Sequence, residues 1–157
     1  MALLLLQPLL VAGALPGARG ILGRRVHRFG GAMLVILVIT HVAGLWITSP
    51  PDVVDALLFR SPAPFSAWGV IAMWAVFAAA IIGLLRKRMG ARLRVWRLVH
   101  TSLVCVVVVS TVVHAVQIEG TMEQISKSVL ACIVVIVLGW VILSRRTWTL
   151  LPFVRRA

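Results

Sequence analysis

The chain contains four long apolar runs, none of which carries an Asp, Glu, Lys or Arg side chain. They cover residues 29–47, 68–85, 98–116 and 129–143. The first three have about the length that a helix needs to cross a bilayer core, and the fourth reaches it with its polar flanks. In lipid the backbone must satisfy its hydrogen bonds internally, so the runs are predicted to be helices. The pattern predicts an all-α integral membrane protein, a bundle of four complete transmembrane helices plus a short N-terminal apolar segment.

Two shorter segments are also apolar. The N-terminal segment, residues 1–20, has Pro8 inside its apolar part and no positive charge ahead of it, unlike a secretory signal. It is predicted to be a re-entrant segment or, as we favour, the end of a membrane helix that begins upstream. Between the first two runs, residues 52–60 place apolar side chains at helical spacing. They predict a short interfacial helix with Asp52 as its N-cap.

The composition agrees with a membrane protein. The chain is 61% hydrophobic and 13% charged, with a mean hydropathy of +1.06, whereas soluble domains are about 45–50% apolar and about 25% charged. The predicted organisation is an N-terminal apolar segment (1–20), a transmembrane domain (21–146) and a basic C-terminal tail (147–157).

Charged residues are divided between the two sides of the predicted bundle. Of the 16 Lys and Arg residues, 14 lie before the first run, between the second and third, or after the fourth: Arg19, Arg24, Arg25, Arg28, Arg86, Lys87, Arg88, Arg92, Arg94, Arg97, Arg145, Arg146, Arg155 and Arg156. With alternating spans, all four acids lie on the opposite side: Asp52, Asp55, Glu119 and Glu123. The positive-inside rule then places the basic loops and the C-terminus in the cytoplasm, and we expect a multi-pass protein of a bacterial inner membrane. A net charge of +12 is also typical of nucleic-acid binding, but topology and anionic membrane lipid explain arginines that border spans, so no nucleic acid is expected.

The four histidines form two pairs with the same spacing. His27 and His41 lie fourteen residues apart on the first predicted spanning helix, and so do His100 and His114 on the third. Fourteen residues of α-helix rise about 21 Å and make nearly four turns, so each helix presents two imidazoles on roughly one face. These imidazoles lie near opposite edges of a bilayer core about 30 Å thick. Two such helices side by side offer a pair of imidazoles at each of two depths.

Two axial nitrogens at each depth suit haem, whose porphyrin supplies the other four donors to iron. Zinc or copper needs three or four ligands at one depth, and no carboxylate or methionine lies at an obvious ligand spacing. We therefore predict two haem groups, with the four histidines as iron ligands. The chain has no Cys-x-x-Cys-His motif, which excludes covalent c-type attachment. The alternative is a haem-free scaffold or transport subunit whose histidines pack or relay protons.

Glycine and arginine residues near the histidines add to the predicted haem-binding set. Gly30 and Gly44 each follow a histidine by three residues, where a missing side chain lets a flat macrocycle approach the helix. The same residues also suit close packing between helices. Arg24, Arg28 and Arg97 are placed to pair with haem propionates, although membrane topology alone also explains most of them.

The segments RVHRFGG (residues 25–31) and WRLVH (residues 96–100), together with the histidine spacings, resemble the ferric reductase-like transmembrane domain. That family includes ferric reductases, NADPH oxidases and the haem-binding membrane subunit of the bacterial methionine sulfoxide reductase system. The resemblance covers roughly residues 20–145. It implies that His27 pairs with His100 around a cytoplasmic-side haem b, and His41 with His114 around an outer one. The chain departs from the family in having four spans and a stub where six spans are usual.

The resemblance implies a membrane cytochrome that carries electrons between the two faces of the membrane, as the electron-transfer subunit of an oxidoreductase. We expect no bound flavin, because the sequence has no glycine-rich phosphate loop and no soluble segment long enough for a flavin or NAD(P)H domain. A separate electron donor is therefore expected, either a cytosolic flavoprotein or membrane quinol. The acceptor at the outer face stays open, and so does a catalytic role for the chain itself.

Overall fold

A computed structural model of the chain describes residues 2–86, 88, 93–119 and 123–144. These residues form six α-helices and no β-strand: α1 (Ala2–Ala12), α2 (Gly20–Thr48), α3 (Pro50–Leu57), α4 (Pro64–Leu85), α5 (Leu93–Gln117) and α6 (Gln124–Ser144). The all-α prediction is confirmed. The predicted basic C-terminal tail (147–157) and several arginine-cluster residues lie outside the described residues, namely Lys87, Arg92, Arg145, Arg146, Arg155 and Arg156.

Four of the helices are long and apolar enough to cross a membrane. They are α2, α4, α5 and α6, with 29, 22, 25 and 21 residues. At about 1.5 Å per residue, even the shortest is about 32 Å long, which matches a hydrocarbon core of about 30 Å. The four predicted spans are confirmed, and each helix begins several residues before its predicted apolar run.

The short helix predicted between the first two spans is present as α3, but its N-cap is Ser49, so the prediction of Asp52 as the cap was wrong. Pro50 and Pro51 occupy the first helical positions, where a missing N–H leaves no bond unmade. Asp52 instead lies in the first turn and accepts a 2.6 Å hydrogen bond from the Ser49 hydroxyl. The helix starts earlier than predicted because proline is compatible with a first turn.

The N-terminal segment forms a half-length helix against the bundle. α1 packs on α2 and α6, and Leu4 joins a core that contains Val108 of α5 and Val134 of α6. At the other end of α1, the Leu10 carbonyl lies beside Gly23, near the start of α2. The eleven residues of α1 rise about 16 Å, so the helix runs from the middle of the bundle to the start of α2. It covers only one half of the α2 face that it contacts.

The packing of the spans defines two ends of the bundle. We call the end where α2 begins, α4 ends and α5 begins the basic end, and the opposite end the acidic end. α4 and α5 are antiparallel and pack most extensively, α6 packs on α5, and α4 also contacts α2. α2 and α5 both run away from the basic end. α2 and α5 are not among the closely packed helix pairs of the described structure. Any contact between these two helices is therefore made by side chains.

Candidate functional site

His27 and His100, the basic-end pair, lie at matching depths on two parallel helices. Each is seven residues after the first residue of its helix, α2 for His27 and α5 for His100. Both side chains are partly buried, and the two imidazoles are close enough to interact electrostatically. The structure thus brings together two histidines that were predicted to share one haem.

A polar side chain of α1 contacts His27. Gln7 is 8% exposed. With the amide orientation assigned so that both of its ends find hydrogen-bond partners, its nitrogen lies against Nδ1 of the imidazole and donates to the His27 carbonyl oxygen at 3.1 Å. The amide oxygen accepts the backbone N–H of Gly31 at 3.1 Å, and the Gln7 backbone interacts with the same imidazole. The sequence interpretation missed this residue. The available signal was one polar side chain in an otherwise apolar helix.

His100 lies between an aromatic side chain and the backbone of α4. Its imidazole stacks on the Trp96 indole with 5.2 Å between ring centroids and 10° between planes. The ring also interacts with the Ala79 backbone, and a Cβ on Gly83 would lie 4.0 Å from His100 Cε1. His100 Nδ1 is buried without a partner at hydrogen-bonding distance in the described part of the chain.

Trp96 is itself fixed at the basic end. Its Nε1 donates a 2.7 Å hydrogen bond to the Ile82 carbonyl oxygen of α4, and the Arg86 guanidinium lies 5.3 Å from the indole centroid, within cation–π range. A continuous series of contacts therefore joins an exposed cation, an indole and a partly buried imidazole.

His114 is held against α4 near the acidic end. Its Nδ1 is 2.8 Å from the Phe65 carbonyl oxygen, and the Phe65 ring meets the imidazole edge-to-face at 5.8 Å. A Cβ on Gly69 would lie 2.8 Å from His114 Cε1, closer than real Cβ atoms approach a neighbour. Only glycine at this position leaves room for the ring. A neutral imidazole that donates Nδ1–H to a carbonyl carries its lone pair on Nε2, the arrangement common in metal-binding histidines.

The two histidines of α5 pack against two similar sites on α4, which we call seats. His114 lies beside Phe65 and Gly69, and His100 lies beside Ala79 and Gly83. In both seats a backbone group is followed by a glycine four residues later, and the seats are fourteen residues apart, like the histidines themselves. Because α4 and α5 are antiparallel, one register satisfies both seats. The sequence contained this signal in the spacing of Gly69 and Gly83, but the prediction considered only glycines on the histidine helices.

His41 and His114, the acidic-end pair, are not joined by a hydrogen bond or a ring contact in the described part of the chain. His41 is exposed on α2, beyond the half of that helix that α1 covers. A Cβ on the neighbouring Gly44 would meet open space. His114 instead turns toward α4. The structure therefore shows no direct contact within this predicted pair in the described residues.

The other predicted site residues have mixed surroundings. Gly30 is buried against the Gln7 amide rather than beside an open face. Arg24, Arg28 and Arg97 are exposed near the basic end, on the helices that carry His27 and His100. They are therefore near the histidine pair along the chain and accessible to an anionic group.

The chemistry of these donors suits a cofactor with ligands of its own. Within the described ranges there is no group of three or more His, Cys, Asp and Glu side chains that could hold a metal ion, whereas a protein metal site needs about three or four such ligands. A haem iron needs only axial ligands from the protein. The basic-end pair fits that need, with two partly buried imidazoles close enough to interact electrostatically. At the acidic end, His114 fits as an oriented donor, but its partner is exposed.

Comparisons with protein-family models, with curated proteins and with solved structures find no match for the chain. The assignment of a function therefore depends on the geometry of the histidines and their neighbours.

Proposed function

We propose that this chain is a transmembrane b-type cytochrome that moves electrons across the membrane through two stacked haems, each held by two histidines. The observation that carries the proposal is the approach of His27 and His100 at one depth, with a further histidine fourteen residues along each helix. Haem b, when bound, supplies the one-electron redox chemistry. The chain supplies imidazole nitrogens, an apolar environment and the groups that orient the imidazoles.

The pairing follows from helix direction. α2 and α5 both begin at the basic end, so His27 is level with His100, and His41 is level with His114. A crossed pair such as His27 with His114 would be separated by about 21 Å along the bundle axis, more than one porphyrin bridges. We therefore assign His27 and His100 to one haem, and His41 and His114 to the other.

The basic-end haem has the stronger support. Both of its ligands are partly buried and interact, and Gly83 leaves one side of His100 free of a side chain. At the acidic end the support comes from His114, whose Nδ1 is already bonded to a carbonyl, and from the open space beside Gly44.

Spectra of the purified protein test the proposal. The dithionite-reduced protein should show the α-band of a b-type cytochrome and a content of two haems per chain. His27→Ala and His100→Ala should remove the same component in a redox titration, and His41→Ala and His114→Ala should remove the other. Loss of one common component in His27→Ala and His41→Ala would contradict the pairing by depth.

We further propose that the basic end faces the cytoplasm of a bacterial inner membrane. Arginines accumulate on the cytoplasmic side of membrane proteins, and the acids lie at the opposite end. In a variant without native cysteines, an impermeant thiol reagent applied to intact cells should label Phe59→Cys at the acidic end and spare Arg88→Cys at the basic end. Labelling of Arg88→Cys alone would reverse the orientation.

With this orientation, a cytosolic flavoprotein or membrane quinol delivers electrons to the basic-end haem, and an outer acceptor takes them from the acidic-end haem. Arg24, Arg28 and Arg97 are the proposed partners of haem propionates, because they are exposed cations on the two ligand helices. Each haem propionate that they bind gains a charge-assisted hydrogen bond. Arg→Gln variants at these positions should raise the release rate of the basic-end haem without affecting the other.

A second function is a haem-free scaffold or transport subunit. The observation that favours it is the existing contact set of His114, whose ring is bonded to Phe65 and packed on Gly69 as a structural histidine would be. The two functions differ in the purified protein, because the second predicts no haem band even when the protein is purified from cells supplied with haem precursor.

A further inference from the structure

The only polar side chain of α1 meets the basic-end histidine pair. The sequence of α1 is ALLLLQPLLVA, and Gln7 is only 8% exposed although its side chain is a polar amide. A buried amide without hydrogen bonds is costly, so its position requires partners. Gln7 finds them on one short stretch of α2, at the His27 imidazole, the His27 carbonyl and the Gly31 N–H.

The backbone of α2 is shaped to admit this amide. A Cβ on Gly30 would overlap the end of the Gln7 amide group, so any other residue there would push Gln7 away from His27. The Gly31 N–H lies inside a helix and still reaches the Gln7 amide oxygen at 3.1 Å. Gly30 thus allows the Gln7 amide to approach His27. On the α1 side, Leu4 anchors the helix in the core one turn before Gln7.

We propose that Gln7 is a positioning residue that holds the His27 imidazole through Nδ1, so that Nε2 is the nitrogen offered to a haem iron. This inference rests on the proposed function. The amide has a donor and an acceptor on one planar group, and rotation about its terminal bond exchanges them. It can therefore donate to Nδ1 of a free imidazole. When Nε2 carries the metal, the amide can rotate and accept Nδ1–H, and it then gives up its bonds to the His27 carbonyl and the Gly31 N–H. A backbone carbonyl such as that of Phe65 at His114 has only the second capacity.

The strength of this hydrogen bond controls the affinity and the reduction potential of the basic-end haem. An acceptor on Nδ1–H makes the imidazole a stronger donor to iron, and removal of such a partner typically lowers metal affinity by about 10–100-fold. A stronger imidazole donor stabilises the ferric state, so the reduction potential falls when the acceptor becomes stronger. Gln7 therefore influences one haem and not the other, because His41 and His114 are about 21 Å away along the axis.

Three variants of α1 test the proposal. Gln7→Leu removes the side-chain hydrogen bonds and keeps the backbone of α1, and Gln7→Glu keeps the shape and introduces a stronger acceptor for Nδ1–H. Leu4→Ala is the matched control, since it loosens the packing of the same helix without touching His27. Redox titration followed by visible spectra gives the two potentials, and apomyoglobin capture gives the release rate of each haem. The basic-end component is the one that His27→Ala and His100→Ala remove.

We expect Gln7→Leu to raise the potential of the basic-end component and to weaken its retention by about 10–100-fold. Gln7→Glu should lower that potential, and Leu4→Ala should reduce thermal stability with both potentials unchanged. Selective loss of the basic-end haem in Gln7→Leu also supports the proposal. Unchanged potentials in both Gln7 variants, or equal shifts of both components, would overturn it. Absence of haem from the wild-type protein would instead overturn the proposed function itself.

Discussion

The substitution Gly69→Ala tests how α4 holds His114. An added Cβ would lie 2.8 Å from His114 Cε1 and 2.9 Å from Nδ1, whereas carbon atoms pack best at about 3.5–4.0 Å. The ring would have to move by about 0.7 Å or more to reach that distance. Its Nδ1 is now 2.8 Å from the Phe65 carbonyl oxygen, so a shift of this size strains or breaks the hydrogen bond.

The expected loss can be worked from these contacts. A broken hydrogen bond costs about 1 kcal/mol, and overpacking of a tight contact costs about 1–3 kcal/mol. Alanine recovers up to about 1 kcal/mol through its better helix propensity. Gly69→Ala should therefore lower the free energy of unfolding by about 1–4 kcal/mol.

The same substitution at the other seat is the control. A Cβ on Gly83 would lie 4.0 Å from His100 Cε1, an ordinary contact, so Gly83→Ala should be neutral or stabilising by up to about 1 kcal/mol. Reversible unfolding of both variants in mixed detergent micelles gives the two free energies. With haem present, Gly69→Ala should also disturb only the acidic-end component. Equal stabilities of the two alanine variants would refute the close seating of His114 on Gly69.

Three further predictions follow from other contacts. Trp96→Phe keeps a ring beside His100 but loses the 2.7 Å hydrogen bond to the Ile82 carbonyl, so it should lower the free energy of unfolding by about 1 kcal/mol. Trp96→Ala should lower it by about 3–5 kcal/mol. The same unfolding assay measures both. Val134→Ala opens a cavity at a side chain with 0% exposure and should cost about 1–2 kcal/mol, whereas Ile136→Ala, 67% exposed on the same helix, should cost less than about 0.5 kcal/mol. The rate of electron delivery from an acidic flavoprotein to the basic end should fall as ionic strength rises, because salt screens the attraction; a rate independent of salt with every soluble donor would favour quinol.

The sequence by itself determined the class of fold. Runs without charge that are long enough to cross a bilayer can only be helices, because lipid offers no partner for backbone groups. The fourteen-residue spacing likewise determined that His27 and His41 share a helix face, as do His100 and His114, since helix periodicity is local. The N-cap of α3 was placed wrongly for an equally local reason, because the two prolines were interpreted as the end of a span rather than the start of a helix.

Only the tertiary structure decided what surrounds each histidine. Gln7 of α1 contacts His27 of α2, and Gly69 of α4 packs against His114, which lies on a helix that begins 24 residues later in the chain. Such contacts depend on how each helix is rotated and how far it is shifted along its neighbour. Both are set by the sum of many small packing contacts between elements distant in sequence. The spacing of residues along one helix does not determine how that helix is rotated and shifted against its neighbours. It therefore could not show that both histidines of α5 turn toward glycines of α4 while His41 stays exposed.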